Sequence, residues 1–267
     1  MRQINWSDGG IAHITVDGAM LECGMFGPAP EVAPTIVLLH EGLGSLALWR
    51  TFPQKLSTRT RMGVFAWSRL GYGHSDLSQM PRPLNYMSIE GERCLPQVLD
   101  AFGFQGGFIF GHSDGATIAA IFAGRHQDPR IRALILMAPH FFTEPCGQTA
   151  IAATRDAYLQ GPLRERLSKY HRDVDTTFLG WADTWLDPNF AGVWNVEANL
   201  RNITVPTLAI QGAQDEYGTL AHIEALAARS LSPVETTIIE DCRHSPHQEE
   251  SEKTLAAVSN FLSRTLK

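Results

Sequence analysis

A serine hydroxyl becomes a usable nucleophile only when it is held in place and a base removes its proton. The stretch Gly111-His112-Ser113-Asp114-Gly115 has the residue types for such a holder, with Ser113 two positions from a glycine on either side. The apolar run Gly107-Phe108-Ile109-Phe110 precedes it and the helix-like segment 116–125 follows, so it reads as strand, abrupt turn and helix. A nucleophile on so tight a turn needs strained backbone angles, and side chains at the glycine positions would collide with neighbouring elements. The helix beyond also aims its free N–H groups and positive dipole end at negative charge formed near the serine.

The five-residue pattern by itself arises by accident in roughly one chain in ten of this length, so context must decide. The sequence supplies its own comparison. Gly73-His74-Ser75-Asp76 repeats the tetrapeptide 111–114, but Leu77 stands in place of the second glycine. It also follows Arg69-Leu70-Gly71-Tyr72 rather than a strand-like run. Ser113 is therefore the candidate nucleophile.

The elements that must position it are legible as six short apolar runs, at residues 35–39, 63–67, 107–110, 133–137, 207–210 and 235–239. Runs without polar alternation suit strands buried on both faces, which means a parallel sheet covered by helices. Helical stretches at 116–125, 220–229 and 254–262 alternate with them, predicting an open α/β sheet. Nearer the N-terminus, Val16-Asp17-Gly18-Ala19 joins two extended runs within residues 11–26, and its Asp-Gly pair signals a hairpin.

One stretch breaks the rhythm. Residues 142–199 hold no strand-like run but include helical stretches at 150–160 and 163–170 and three tryptophans, Trp181, Trp185 and Trp194. That is long for a connection within a compact domain. It is expected to form a helical cap over one end of the sheet, leaving 1–141 and 200–267 as the core domain. A run of ordinary core helices with buried tryptophans is the alternative.

Composition narrows the function. Hydrophobic residues make up 44% of the 267 and charged residues 19%, a globular balance. A net charge of −6 without any long basic run argues against nucleic acid and anionic membrane surfaces as partners. The apolar stretches fall far short of the roughly 20 residues that span a bilayer. Residues 1–8 lack the apolar core of a secretory signal. Cys23, Cys94, Cys146 and Cys242 are scattered without a C-x-x-C pair, so they read as reduced thiols in a cytoplasmic protein and not as a zinc site.

The chain resembles the α/β-hydrolase superfamily nearly end to end. The resemblance is carried in order by Leu39-His40-Glu41-Gly42-Leu43-Gly44-Ser45, Gly71-Tyr72-Gly73-His74-Ser75, the Ser113 turn, Gln211-Gly212-Ala213-Gln214-Asp215 and Asp241-Cys242-Arg243-His244-Ser245-Pro246. It implies a mostly parallel central sheet flanked by helices, and a triad in the order serine, acid, histidine. His244, just past the final strand, stands where the superfamily places its base, with His247 the rival in the same loop. Asp215 stands at the acid position, with Glu216 its neighbour and competitor. A metal reading of His244-x-x-His247 with Cys242 or Asp241 has no second ligand cluster beside it, and neither cofactor nor metal is expected. The oxyanion N–H groups fall to Asp114 and to Gly42, or to Leu43 if the loop register differs by one.

Three positions depart from the common pattern: Glu41 follows His40 where glycine is usual, Asp114 follows the nucleophile, and Arg243 replaces a usual glycine before the base. Two acids near one mouth would repel a substrate carboxylate unless an arginine such as Arg50 or Arg69 intervenes, and the favoured reading instead turns both side chains away, hydrogen-bonded to backbone. If they face the pocket instead, neutral esters should be cleaved faster than esters carrying a carboxylate close to the scissile bond. Glu41, His112, His140, Trp181 and Trp185 are the candidate pocket residues.

The expected activity is a serine hydrolase cleaving a small carboxylic ester, lactone or thioester. Serine at the turn disfavours haloalkane dehalogenase and epoxide hydrolase chemistry, which the resemblance associates with aspartate there. Carbon–carbon bond hydrolysis and cofactor-free peroxidation use the same three residues and remain open, as does a ligand-binding receptor on a hydrolase scaffold.

Overall fold

A computed structural model of the chain describes residues 4–266; Met1, Arg2 and Gln3, the start of the stretch read for a secretory signal, lie outside the described residues. The strands are β1 (Gly10–Val16), β2 (Ala19–Phe26), β3 (Thr35–Leu39), β4 (Gly63–Trp67), β5 (Gly107–His112), β6 (Ile131–Met137), β7 (Thr207–Gly212) and β8 (Val234–Ile239). They form one sheet in the order β1-β2-β4-β3-β5-β6-β7-β8. Only β2 runs antiparallel to its neighbours; from β4 to β8 every pairing is parallel. The hairpin lies where Asp-Gly predicts it, with φ of 49° at Asp17 and 80° at Gly18, two left-handed positions that match the twist of the paired strands.

Helices α1 (Phe52–Thr60), α2 (Tyr86–Ile89), α3 (Leu95–Ala101) and α4 (Asp114–His126) alternate with the strands up to β6. Between β6 and β7 come α5 (Pro145–Gln160), α6 (Leu163–Leu167), α7 (Val174–Trp185), α8 (Phe190–Val193) and α9 (Glu197–Leu200). The chain continues through α10 (Ala221–Arg229), α11 (Pro246–Glu249) and α12 (Ser251–Thr265). Residues 142–199 contain no strand, and the helix expected over 163–170 ends at Leu167.

Two-sided burial explains five of the six apolar runs; the sixth, at 235–239, forms the edge strand β8, where Glu235 and Thr236 are exposed and only Ile239 is buried. Val37, Leu39, Phe65, Ile109, Leu134 and Leu136 pack into one apolar cluster. Their immediate neighbours Ile36, Leu38, Val64, Phe108, Ala133 and Ile135 pack into the other, against Phe52 and Leu56 of α1 and Val258 and Leu262 of α12. Alternate side chains point to opposite faces of a strand, so covering both faces demands apolar residues at every position. Trp194 belongs to this packing rather than to any site, stacked on Phe190 and edge-on to Trp185.

Among the described residues, no helix is long and apolar enough to cross a membrane. All four cysteines are free thiols.

Candidate active site

The parallel strands end on one edge of the sheet, and the loops that leave β3, β5, β7 and β8 carry the residues singled out in the sequence. Ligands bind along that carboxyl edge in open α/β sheets. Ser113 leaves β5 with φ 53° and ψ −117°, a strained combination for a non-glycine residue. Its neighbours permit it. A Cβ on Gly111 would lie 2.2 Å from the Gly115 carbonyl oxygen, and one on Gly115 would lie 2.1 Å from that of Leu39. Strand β3, the turn and α4 can therefore close on one another only with glycine at both places.

Ser113, Asp215 and His244 meet. The Nε2 of His244 lies 3.0 Å from Ser113 Oγ, and its Nδ1 lies 2.9 Å from both carboxylate oxygens of Asp215. Asp215 follows β7 across Gly212, where a Cβ would strike the backbone of Cys242 and Arg243, so glycine lets the loops of Asp215 and His244 touch. Burial works to lower the His244 pKa, but the Asp215 charge and hydrogen bond overcome it and hold the imidazole above its ordinary value. Burial likewise acts to raise the Asp215 carboxyl, and the His244 ring overcomes it in the opposite direction. Each partner stabilises the charged form of the other.

The rivals sit elsewhere. His247 is buried among Trp49, Phe52 and His112, and burial lowers its pKa to about 3. Glu216 lines the cavity beside Ser113 and His244, while both His244 nitrogens face Asp215 and Ser113. Among the described residues, no group of three or more His, Cys, Asp or Glu is placed to hold a metal ion.

The two acids part company. Asp114 turns inward: Tyr86 donates its hydroxyl hydrogen to the carboxylate, and Arg69, not Arg50, approaches it at 3.8 Å. Its partners are side chains rather than the backbone groups expected. Burial raises the Asp114 pKa against the opposing Arg69 charge. Tyr86 in turn accepts from Trp185 Nε1 at 3.1 Å, linking α2, α4 and α7. Glu41 stays on the cavity wall, against the expectation that it too would turn away. Burial acts to raise its pKa, but His112 overcomes this and keeps the carboxyl well below the usual range.

His112 is the correction among the pocket residues. It has no exposed surface and lies behind the cavity, with Nε2 2.8 Å from the His244 carbonyl and Nδ1 3.5 Å from Glu41 Oε2. The cause is the pleat: it is the last residue of β5, and its side chain points away from the face that opens at Ser113. His140, Trp181, Trp185, Glu41, Gly42 and Asp114 do line a cavity of about 240 Å³ with Ser113 and His244. Burial and the neighbouring His244 lower His140 to about 4.

Sequence reasoning missed Tyr217, Glu144 and Ile151 on the cavity wall and Tyr86 beneath it. The Tyr217 ring centroid is 4.7 Å from that of His244. Its position two residues past Asp215 was the only available signal. Glu144, just before α5, accepts from Thr219 N at 2.8 Å and approaches His222 Nε2 at 3.0 Å, and nothing local in the sequence indicates that contact.

A family model for the alpha/beta hydrolase fold matches residues 34–191. Epoxide hydrolase B of Mycobacterium tuberculosis is 29% identical over 103 residues, which are 38% of this chain and 28% of that protein. The match thus spans under a third of the relative's length. A bacterial membrane phospholipase A superposes with a TM-score of 0.76 at 21% identity, covering 97% of this chain and 87% of that one. An enol-lactonase from Burkholderia xenovorans LB400 gives 0.73 at 21% identity over 94% and 100%. At such identities the structural likeness is one of fold.

Proposed function

The chain belongs to the α/β-hydrolase fold family, and from that premise we propose that it is a serine hydrolase cleaving small carboxylic esters, lactones or thioesters through an acyl-enzyme on Ser113. One observation carries the reading: a hydroxyl, imidazole and carboxylate in series, with Ser113 Oγ 3.0 Å from His244 Nε2 and Asp215 2.9 Å from His244 Nδ1. A matched relative is named an epoxide hydrolase, but over a short stretch, and the residue at the turn of this chain is a serine.

In this reading Ser113 Oγ attacks the carbonyl carbon while His244 Nε2 takes its proton. Asp215 fixes the tautomer through the Nδ1–H bond and stabilises the imidazolium that forms. The N–H of Asp114, first residue of α4 and so without an intrahelical acceptor, binds the oxyanion together with the N–H of Gly42. The imidazolium then protonates the leaving group, and water, deprotonated by the same nitrogen, releases the acid. Segment 142–199 serves as a cap, since Ile151, Trp181 and Trp185 from it complete the cavity wall. The partner is a small ester-type molecule, and the four free thiols fit a cytoplasmic setting.

The test is Ser113→Ala with active-site labelling. Turnover of nitrophenyl esters should fall by about a thousandfold or more, and a fluorophosphonate should modify Ser113. Near-wild-type turnover, or labelling at another residue, overturns the reading.

A further inference from the structure

Trp181 sits on α7 with its indole laid across the loop that follows β3. A Cβ built on Gly42 would fall 2.1 Å from Trp181 Nε1 and 2.5 Å from Cδ1, so the ring fills the space a side chain at residue 42 would take. The tryptophan is 6% exposed, and it lines the cavity beside Gly42, Ser113 and Asp114. An indole N–H can only donate, and a buried one ordinarily finds an acceptor. Trp185, one turn further along α7, gives its N–H to the Tyr86 hydroxyl, and Trp6 gives its own to the Gly27 carbonyl. Trp181 Nε1 makes no hydrogen bond to another described residue. Unlike the unpartnered indole nitrogens of Trp49 and Trp194, it is not sealed from solvent, and its residue lines the cavity. A donor in that position loses its water when substrate enters and regains a partner only if the substrate supplies one.

We infer that the Trp181 N–H is a specificity donor for a second oxygen of the substrate, carried on the carbon next to the scissile carbonyl. The inference rests on the acyl-enzyme reading and names its substrate class: esters or lactones of α-alkoxy, α-hydroxy or α-oxo acids. Such an oxygen can lie on the same side of the acyl group as the carbonyl oxygen. With the carbonyl oxygen held by the Gly42 and Asp114 amides, its neighbour falls beside Gly42, against the indole edge. An acyl chain with methylene at that point leaves the N–H unpaired, and sites built around a hydrogen bond discriminate against such analogues.

The experiment compares nitrophenyl methoxyacetate with nitrophenyl butanoate, which have acyl chains of equal length. Each kcat/KM is divided by that ester's rate with hydroxide to remove intrinsic reactivity. The wild-type ratio should favour methoxyacetate by about three- to tenfold, the range one neutral hydrogen bond gives, and Trp181→Phe should bring it to about one. A normalised wild-type ratio near one overturns the inference, and needs no variant to fold. A ratio unchanged in Trp181→Phe also overturns it, including the case in which the indole instead contacts the oxyanion and both esters suffer alike. Ser113→Ala run alongside separates the two levels: retained turnover sinks the acyl-enzyme reading, whereas its loss with a flat ratio sinks only the role of Trp181.

Discussion

The ring of His112 holds the main chain of His244: its Nε2 lies 2.8 Å from the His244 carbonyl oxygen, across 132 residues of sequence. A carbonyl can only accept, so this nitrogen carries the proton. The residue before the candidate nucleophile thereby ties the base loop to the turn, and its other nitrogen faces Glu41 of the loop after β3.

Replacing His112 with Phe should therefore lower kcat by about tenfold, the cost of one buried hydrogen bond, with a smaller change in KM. His112→Gln keeps an N–H donor near the same place and should recover most of the loss. Steady-state kinetics on one nitrophenyl ester decide it; equal damage in the two variants refutes the tie.

In the proposed mechanism His244 can act as a base only when neutral, and Asp215 and Glu216 both raise its pKa. Activity should fall as pH drops through a value above the ordinary histidine pKa. Glu216→Gln removes one of the raising charges, so the acidic limb of kcat/KM should move to lower pH. Asp215→Asn should cost about 10⁴ in kcat, as loss of the tautomer-fixing acid does elsewhere. Were Glu216→Gln the more damaging of the two, Glu216 would be the acid.

The Tyr86 hydroxyl donates to Asp114 and accepts from Trp185, both buried. Tyr86→Phe leaves the carboxylate with Arg69 but without its hydrogen bond, strands an indole N–H, and should destabilise the fold by about 2–4 kcal/mol. Denaturant midpoints measure this. Asp114→Asn, which tolerates loss of the charge, should cost less than Tyr86→Phe.

Glu41, Glu144, Glu216 and Glu249 line the cavity, with Arg243 the cation among its lining residues. Esters bearing a carboxylate near the scissile bond should be poorer substrates than their neutral isosteres. Glu41→Gln should narrow that gap by about two- to fivefold, the scale of a partly screened charge pair. A gap left unchanged by the substitution would place the Glu41 charge outside the substrate's reach.

Much of the fold is local information. Each buried strand needs apolar residues on both faces, and that requirement is written in consecutive positions such as Thr35-Ile36-Val37-Leu38-Leu39. The Ser113 turn is equally local, because the glycines that allow its strain lie within two residues of it. The resemblance supplied Asp215 and His244 through short motifs in a fixed order, and the structure brings both within hydrogen-bond distance of their partners.

What the sequence alone determined, then, is the sheet, its covering helices and the three residues that converge at its carboxyl edge. The tertiary structure decided where the neighbouring side chains point. His112 went behind the cavity instead of into it, and Asp114 turned inward while Glu41 stayed on the wall. It also brought Tyr86 beneath the site and Tyr217 beside the base. The reason is physical: strand and turn preferences act between residues a few positions apart, whereas the Trp185–Tyr86 and His112–His244 bonds span 99 and 132 residues. Such contacts exist only after the sheet has closed, and their partners carry no mark of one another in the chain.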